Sequence, residues 1–226
     1  LQFLSYNLLK HKAIAEVENL TSKYEPDALC LQEVDVLKLP SAIGPLELAI
    51  GTQKNRLGLA IYLDMTKYSV EDVASYRLRD AHYDRLAAPA HERLLGIRAK
   101  NLTTGEKFSV GSFHASPLTA LNAIRRHQIR DGLEKLNTLG EDSPLMMLGD
   151  FNYPVFRKRL ESEIKASGYD LLTSNGQTYK NYKFVKGYFD FAVAKDFSVQ
   201  WLRTLKQGAS DHLPILARAE LMPATA

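Results

Sequence analysis

The chain has 226 residues, 45% of them hydrophobic and 24% charged, with a formal charge of +3. That length buries one large core without a second domain, and so mild a basic balance permits a polyanionic partner without requiring one. The single Cys30 excludes an intrachain disulfide, and no apolar run reaches the ~20 residues that a membrane helix needs.

Residues 2–9 alternate and then run apolar, as a strand does, and they carry Asn7, by itself a turn residue. Ile14, Val17 and Leu20 recur at helical spacing over 12–24, and Pro26 stops that helix. DALCLQEV at 27–34 is a buried strand finishing on Gln32 and Glu33, with Cys30 an inert core thiol. Strand, helix and strand at this spacing form a crossover unit, which places both polar termini on one edge of a sheet.

Residues 40–55, punctuated by Pro, Gly and Ser, read as a loop with a short turn of helix, and 57–63 and 68–76 as strands. The stretch RLRDAHYDRLAAPAH at 77–91 breaks periodicity and reads as an exposed loop, in which Arg77, Arg79 and Arg85 are either substrate contacts or parts of a solvated connector. Residues 93–100 and 107–114 make a hairpin around NLTTGE. Its second strand ends on His114, alone more often structural than catalytic. A helix over 118–139 presents Leu121, Ile124, Gln128 or Ile129, Leu133 and Leu136 inward, with Arg125, Arg126 and Arg130 on a solvated face.

PLMMLGDFNYP at 144–154 is a strand buried on both faces, and Gly149 lets the backbone come close to a neighbour. In extended geometry Asp150 and Asn152 point the same way and Phe151 points back into the protein. A carboxylate that orients a water beside an amide that donates to a phosphoryl oxygen suits phosphate chemistry; a capped turn is the plainer reading of the pair. A helix over 153–167 ends at Gly168. YKNYKFVKGY at 179–188 alternates cations with aromatics, either a strand-binding surface or a half-buried hairpin with lysines outside. FDFAVA at 189–194 is a strand whose buried Asp190 requires a histidine or a backbone donor opposite. After a strand over 198–205, GASDHLP turns into the last strand at 215–221, and that turn lets the adjacent Asp211 and His212 converge.

The polar groups thus recur at the ends of apolar strands: Asn7, Glu33, His114, Asp150 with Asn152, Asp190, and Asp211 with His212. If those ends meet, they form a cup of carboxylates, amides and two imidazoles, a donor set that favours Mg²⁺, with Mn²⁺ as a substitute, and attack of water on a phosphoester.

The series YN at 6–7, LQEV at 31–34, FHASP at 113–117, GDFN at 149–152, FDF at 189–191 and SDH at 210–212 resembles the endonuclease/exonuclease/phosphatase superfamily, of deoxyribonuclease I-like fold. That resemblance implies an α/β fold of four layers, two mixed sheets face to face with helices outside. It implies that Glu33 binds the metal, with Asn7 helping to hold metal or phosphate and Asp211 supporting the metal shell, that Asp150 orients the water or shares a metal, and that Asn152 grips the phosphate. It further implies His212 as base or transition-state stabiliser oriented by Asp190, and His114 as a phosphate contact or leaving-group acid. Arg93 matches a phosphate-facing arginine, and Arg77 joins it as a substrate contact. Two positions depart from the pattern: Asn55 stands near a place where the deoxyribonuclease I branch has Glu, and Tyr188 where many relatives have Arg.

The expected activity is a divalent-metal-dependent phosphodiesterase acting on nucleic acid, DNA first. A phosphoesterase for a lipid headgroup, inositol phosphate or other small molecule is the alternative, with a non-catalytic binding module third. A monomer without stable membrane association is expected, and a cytoplasmic location is favoured. The abrupt opening LQFLSYNLL nevertheless looks like that of a chain trimmed of a leader.

Overall fold

The polar strand ends belong to two stacked sheets, in a computed structural model that describes residues 1–55, 57–78, 92–181 and 185–223. The first sheet has the order β14 (Phe197–Thr204), β15 (Ile215–Leu221), β1 (Gln2–Asn7), β2 (Ala28–Val34), β5 (Gly58–Asp64), β4 (Leu46–Gly51) and β3 (Ala42–Ile43). The second has the order β10 (Asp170–Leu172), β13 (Asp190–Lys195), β9 (Leu145–Asp150), β8 (Lys107–His114), β7 (Leu94–Asn101) and β6 (Tyr68–Tyr76). A small hairpin, β11 (Tyr179–Asn181) and β12 (Val185–Gly187), stands apart from both.

One apolar cluster lies between the sheets, built from residues such as Phe3, Ile61, Val110, Met146 and Leu148. The outer faces are covered by helices. Val17 of α1 (Val17–Tyr24) packs with Leu4, Leu29 and Leu31 on the first sheet. Leu133 and Leu136 of α2 (Asn122–Leu139), with Leu160 and Ile164 of α3 (Arg157–Ala166), pack against Phe113, Phe151 and Phe191 on the second. This is the four-layer α/β sandwich that the sequence motifs imply.

Each sheet contains one parallel pair, β1 with β2 and β8 with β9, and β1 and β2 lie across the interface from β9 and β8. The carboxyl ends of all four strands therefore face a common rim, carrying Asn7, Glu33, His114 and Asp150. A buried polar seam crosses the interface just below: Gln32 Nε2 donates to Ser112 Oγ at 3.1 Å, and Ser112 Oγ donates to the Leu31 carbonyl at 3.1 Å. Within the second sheet, Gly149 permits a close approach of β9 to its register partner Phe113 on β8. Its φ is +150°, and a Cβ there would sit 1.9 Å from the Phe113 carbonyl oxygen, so no other residue fits.

Several expectations are corrected. The 40–55 stretch is no plain loop: β4 and, at the edge, β3 extend the first sheet, and the short helical turn lies before it, as a 3-10 turn at Val36–Lys38. α2 begins at Asn122 and not at 118, which leaves Leu118 and Leu121 exposed. Arg125 is buried and belongs to no solvated face, since its guanidinium donates to the Pro117 carbonyl and to Asn122 Oδ1. α3 starts only at Arg157. Arg79, Arg85, Tyr182, Lys183 and Phe184 lie outside the described residues.

Candidate active site

Asp150 is the hub. It ends β9, its side chain is 3% exposed, and each of its oxygens meets polar groups from other strands. Oδ2 accepts from Asn7 Nδ2 at 3.2 Å and Asn152 Nδ2 at 3.1 Å, and Oδ1 accepts from the Asn152 backbone N–H at 2.9 Å. The two imidazoles converge on the same oxygen, with His114 Nε2 at 3.6 Å and His212 Nε2 at 3.7 Å. Asn152 does not continue the extended run. Its φ of +47° curls the chain so that the amide returns to Asp150, while Phe151 is fully buried between Phe113 and Phe191.

Asp190 is paired with a histidine. His212 Nδ1 lies 2.8 Å from Asp190 Oδ2, both side chains buried. The turn that carries SDH is fixed by Ser210, whose Oγ donates to the Asn7 carbonyl at 2.7 Å and accepts the His212 N–H at 3.1 Å. Two residues outside the expected site also build this wall. Thr178 Oγ1 accepts the N–H groups of Phe189 and Asp190, and the Tyr179 ring stands edge-on to His212 with centroids 4.9 Å apart. Of the two readings of 179–188, the half-buried hairpin is the one that Tyr179 fits, with its ring turned inward.

Glu33 sits at a bulge where β2 leaves β5, with φ +55°. Its Oε2 accepts the Lys10 N–H at 2.9 Å, and its charge acts on Asp150. Asn7 Oδ1 accepts the Leu9 N–H at 3.1 Å, which orients the amide toward Asp150. The Asp211 carboxylate is close enough to raise both His212 and Tyr6. Arg93 is buried, donating Nη1 to the His114 carbonyl at 3.2 Å, so it supports the histidine from below. Arg77 is exposed on the continuation of β6, about 10 Å from His114 along the sheet edge at two strand spacings. It lines a depression of about 400 Å³ with Gln53, Lys54, Ser75 and Glu92. Asn55 binds both backbone groups of Glu92. α2 steadies the loop after His114: Gln128 accepts the Ser116 N–H and donates to its hydroxyl, next to the Arg125 bonds.

The electrostatics fit a cation. Burial, with Asp190 and Glu33 nearby, pushes the Asp150 carboxyl up to about 7, against the pull of His212 and the Asn152 N–H. Burial lowers His212, yet the carboxylates of Asp190 and Asp150 outweigh it and push the imidazole up to about 10. Four carboxyl groups, Glu33, Asp150, Asp190 and Asp211, thus surround the one imidazolium. A hard divalent ion relieves that excess, and Glu33 and Asp150 offer it carboxylate oxygens, whereas Asn7 turns its amide nitrogen to Asp150 and its oxygen to the Leu9 N–H. Asp150, Asp190 and His212 have ligand atoms within 4.8 Å of one another, but the His212–Asp190 pair already spends its facing atoms on a hydrogen bond. The Glu33 side of Asp150 is therefore the better seat.

Residues 4–212 match the sequence profile of the Endonuclease/Exonuclease/phosphatase family, and the chain belongs to it. That family consists of hydrolases of phosphoester bonds and generally uses divalent metal. The chain is 26% identical over 166 residues to Protein angel of Drosophila melanogaster, covering 67% of itself and 45% of that protein, so it spans less than half of that relative's length. The human Nocturnin catalytic domain with bound sulfate superposes with a TM-score of 0.79 at 16% identity, over 98% of this chain and 94% of that one. ANGEL2, a 2′,3′-cyclic phosphatase solved with adenosine-2′,3′-vanadate, superposes at 0.74 with 14% identity, over 97% and 95%.

Proposed function

We propose that the protein is a Mg²⁺-dependent phosphodiesterase that cleaves nucleic acid by in-line attack of water, with DNA its first substrate. The convergence of His114, His212, Asn7 and Asn152 on the one carboxylate of Asp150 carries this reading. Glu33 and Asp150, with Asp211 in support and Asn7 joining if its amide turns, would hold a divalent ion, which would supply charge neutralisation at the phosphate. Asp150, whose protonation changes near neutral pH, accepts a hydrogen bond from the attacking water and orients it. His212, fixed by Asp190 and held as imidazolium, donates toward a phosphoryl oxygen as negative charge builds there. Asn152 donates to the same group. His114, 22% exposed at the mouth, meets the phosphate or the leaving oxygen.

A 2′,3′-cyclic or other small phosphoester is the second reading, favoured by the sequence likeness to Protein angel and the fold likeness to ANGEL2. Initial rates on plasmid, single-stranded DNA, RNA, a 2′,3′-cyclic nucleotide and a sugar phosphate, each with Mg²⁺ and with chelator, decide between them. Metal-dependent cleavage of DNA above the other substrates supports the first reading. Hydrolysis confined to the small phosphates replaces it, and no hydrolysis of any substrate ends both.

A further inference from the structure

Phe156 is 70% exposed, although an aromatic ring of that size ordinarily buries. Its backbone is left-handed, φ +59° and ψ +29°, a conformation costly for a bulky residue. It also occupies the N-cap of α3 with no side-chain hydrogen bond, where Ser, Asp or Asn would stabilise the helix. Neither burial, backbone preference nor capping accounts for phenylalanine here, and outward contact remains.

Its position says to what. Phe156 follows Asn152 by four residues, so at most ~14 Å of chain separates it from the phosphate-gripping amide. The next residue, Arg157, lays its guanidinium over the Tyr188 ring at 4.4 Å, and Tyr188 precedes Asp190 by two. A Cβ on Gly187 would lie 3.8 Å from Pro154, so the two segments run side by side. The guanidinium is thereby held on the β13 flank of the cup, opposite the β6 flank that holds Arg77, and the Phe156 backbone lies one residue from it. Lys158 and Lys186 are exposed nearby in sequence and add positive charge.

We propose that Phe156 and Arg157 form a nucleotide ledge: a base next to the scissile phosphoester stacks on the exposed ring, and a neighbouring phosphate meets Arg157 and Lys158. The ledge rests on the nucleic-acid reading above and names the subsite that would grip the strand. The exposed Phe156 ring, with only Val155 beside it and cations flanking, matches one π face and one backbone charge; insertion into a bilayer calls for a broader apolar surface.

The test uses Phe156→Ala, Phe156→Trp, Phe156→Gly and Arg157→Gln, with single-stranded oligonucleotides carrying either a normal base or a tetrahydrofuran abasic unit beside the cleaved bond. Stacking predicts that Phe156→Ala raises KM about tenfold on the normal oligonucleotide, that Phe156→Trp restores it, and that the abasic substrate abolishes the difference between variants. Phe156→Gly should weaken the strand equally while raising Tm by about 2–4 °C, because glycine relieves the left-handed backbone. Equal KM for parent and Phe156→Ala, with the parent active, overturns the ledge and leaves the proposed function standing. If the parent cleaves no nucleic acid, that function fails, and anisotropy of a labelled oligonucleotide on the metal-free proteins judges the ledge by itself: equal Kd overturns it. Loss of binding to phosphatidylserine vesicles in Phe156→Ala without change toward oligonucleotides makes the face a lipid contact, and overturns it too.

Discussion

Nδ1 of His212 and Oδ2 of Asp190 lie 2.8 Å apart on two strands' approaches to the same rim, and neither side chain is open to water. A carboxylate in that place fixes the imidazole tautomer, so that Nε2 faces Asp150 and the substrate. Asp190→Asn keeps the shape and removes the charge, which frees the imidazole to turn or to lose its proton. We expect kcat to fall by about 10³-fold with little change in KM or in circular dichroism. A kcat within threefold of the parent would remove His212 from the chemistry.

Cation binding should depend on pH through Asp150. Burial first, then Asp190 and Glu33, raise its carboxyl from 3.8 to about 7, so the cation-free folded state resists an ionisation that the unfolded chain accepts. From about pH 4 to pH 7 the stability of the cation-free protein therefore drains away. His212 acts in the same sense: its contribution is complete below 6.5 and is lost as pH climbs through about 10. Excess Mg²⁺, which favours the ionised carboxylate, should thus raise Tm more at about pH 8 than at about pH 5. Glu33→Gln should flatten the response. Scanning calorimetry at both pH values reads this, and equal shifts would place the cation away from Asp150.

Arg125 should act on the reaction from a distance. Its buried guanidinium, lowered in pKa by desolvation, holds the Pro117 carbonyl three residues beyond His114. Arg125→Met removes the bonds to Asn122 Oδ1 and to that carbonyl, which keeps only the Ala120 N–H, at a cost of about 1–3 kcal/mol in urea denaturation. The loop bearing His114 then loosens, and kcat should drop about tenfold at temperatures where the protein is still folded. Wild-type kcat in a destabilised Arg125→Met would confine the residue to structure.

Gly149→Ala should be far worse than its size suggests. The added methyl meets the backbone of Phe113, which cannot swing aside as a side chain can. We expect a loss of about 3 kcal/mol or more, with activity lost even in the folded fraction, because His114 and Asp150 are register partners across the same strand pair. Parent-like urea midpoints would mean that β8 and β9 stand farther apart.

The strand ends were legible because each apolar run stops on a polar residue, and extended geometry leaves that residue at a rim. Asp190 announced its own partner, since a carboxylate between two phenylalanines demands one. Other features depended on contacts with no local signature. Arg125 looks like surface on a helical wheel, but the loop after His114 closes over it. Tyr179 sits in a pattern of alternating cations and rings that is equally consistent with facing out, and its contact with His212 comes from a turn some thirty residues later. Phe156 was invisible for a simpler reason: nothing in PVFRKR reveals a left-handed φ.

The working groups are divided between two sheets, Asn7 and Glu33 on one and His114, Asp150 and Asp190 on the other, and neither sheet holds a complete set. Turnover is consequently a gauge of how the layers are seated. A slip of one layer over the other by an ångström parts Asn7 from Asp150 while every ladder stays intact, so mild denaturant should silence the enzyme before far-ultraviolet dichroism registers any loss.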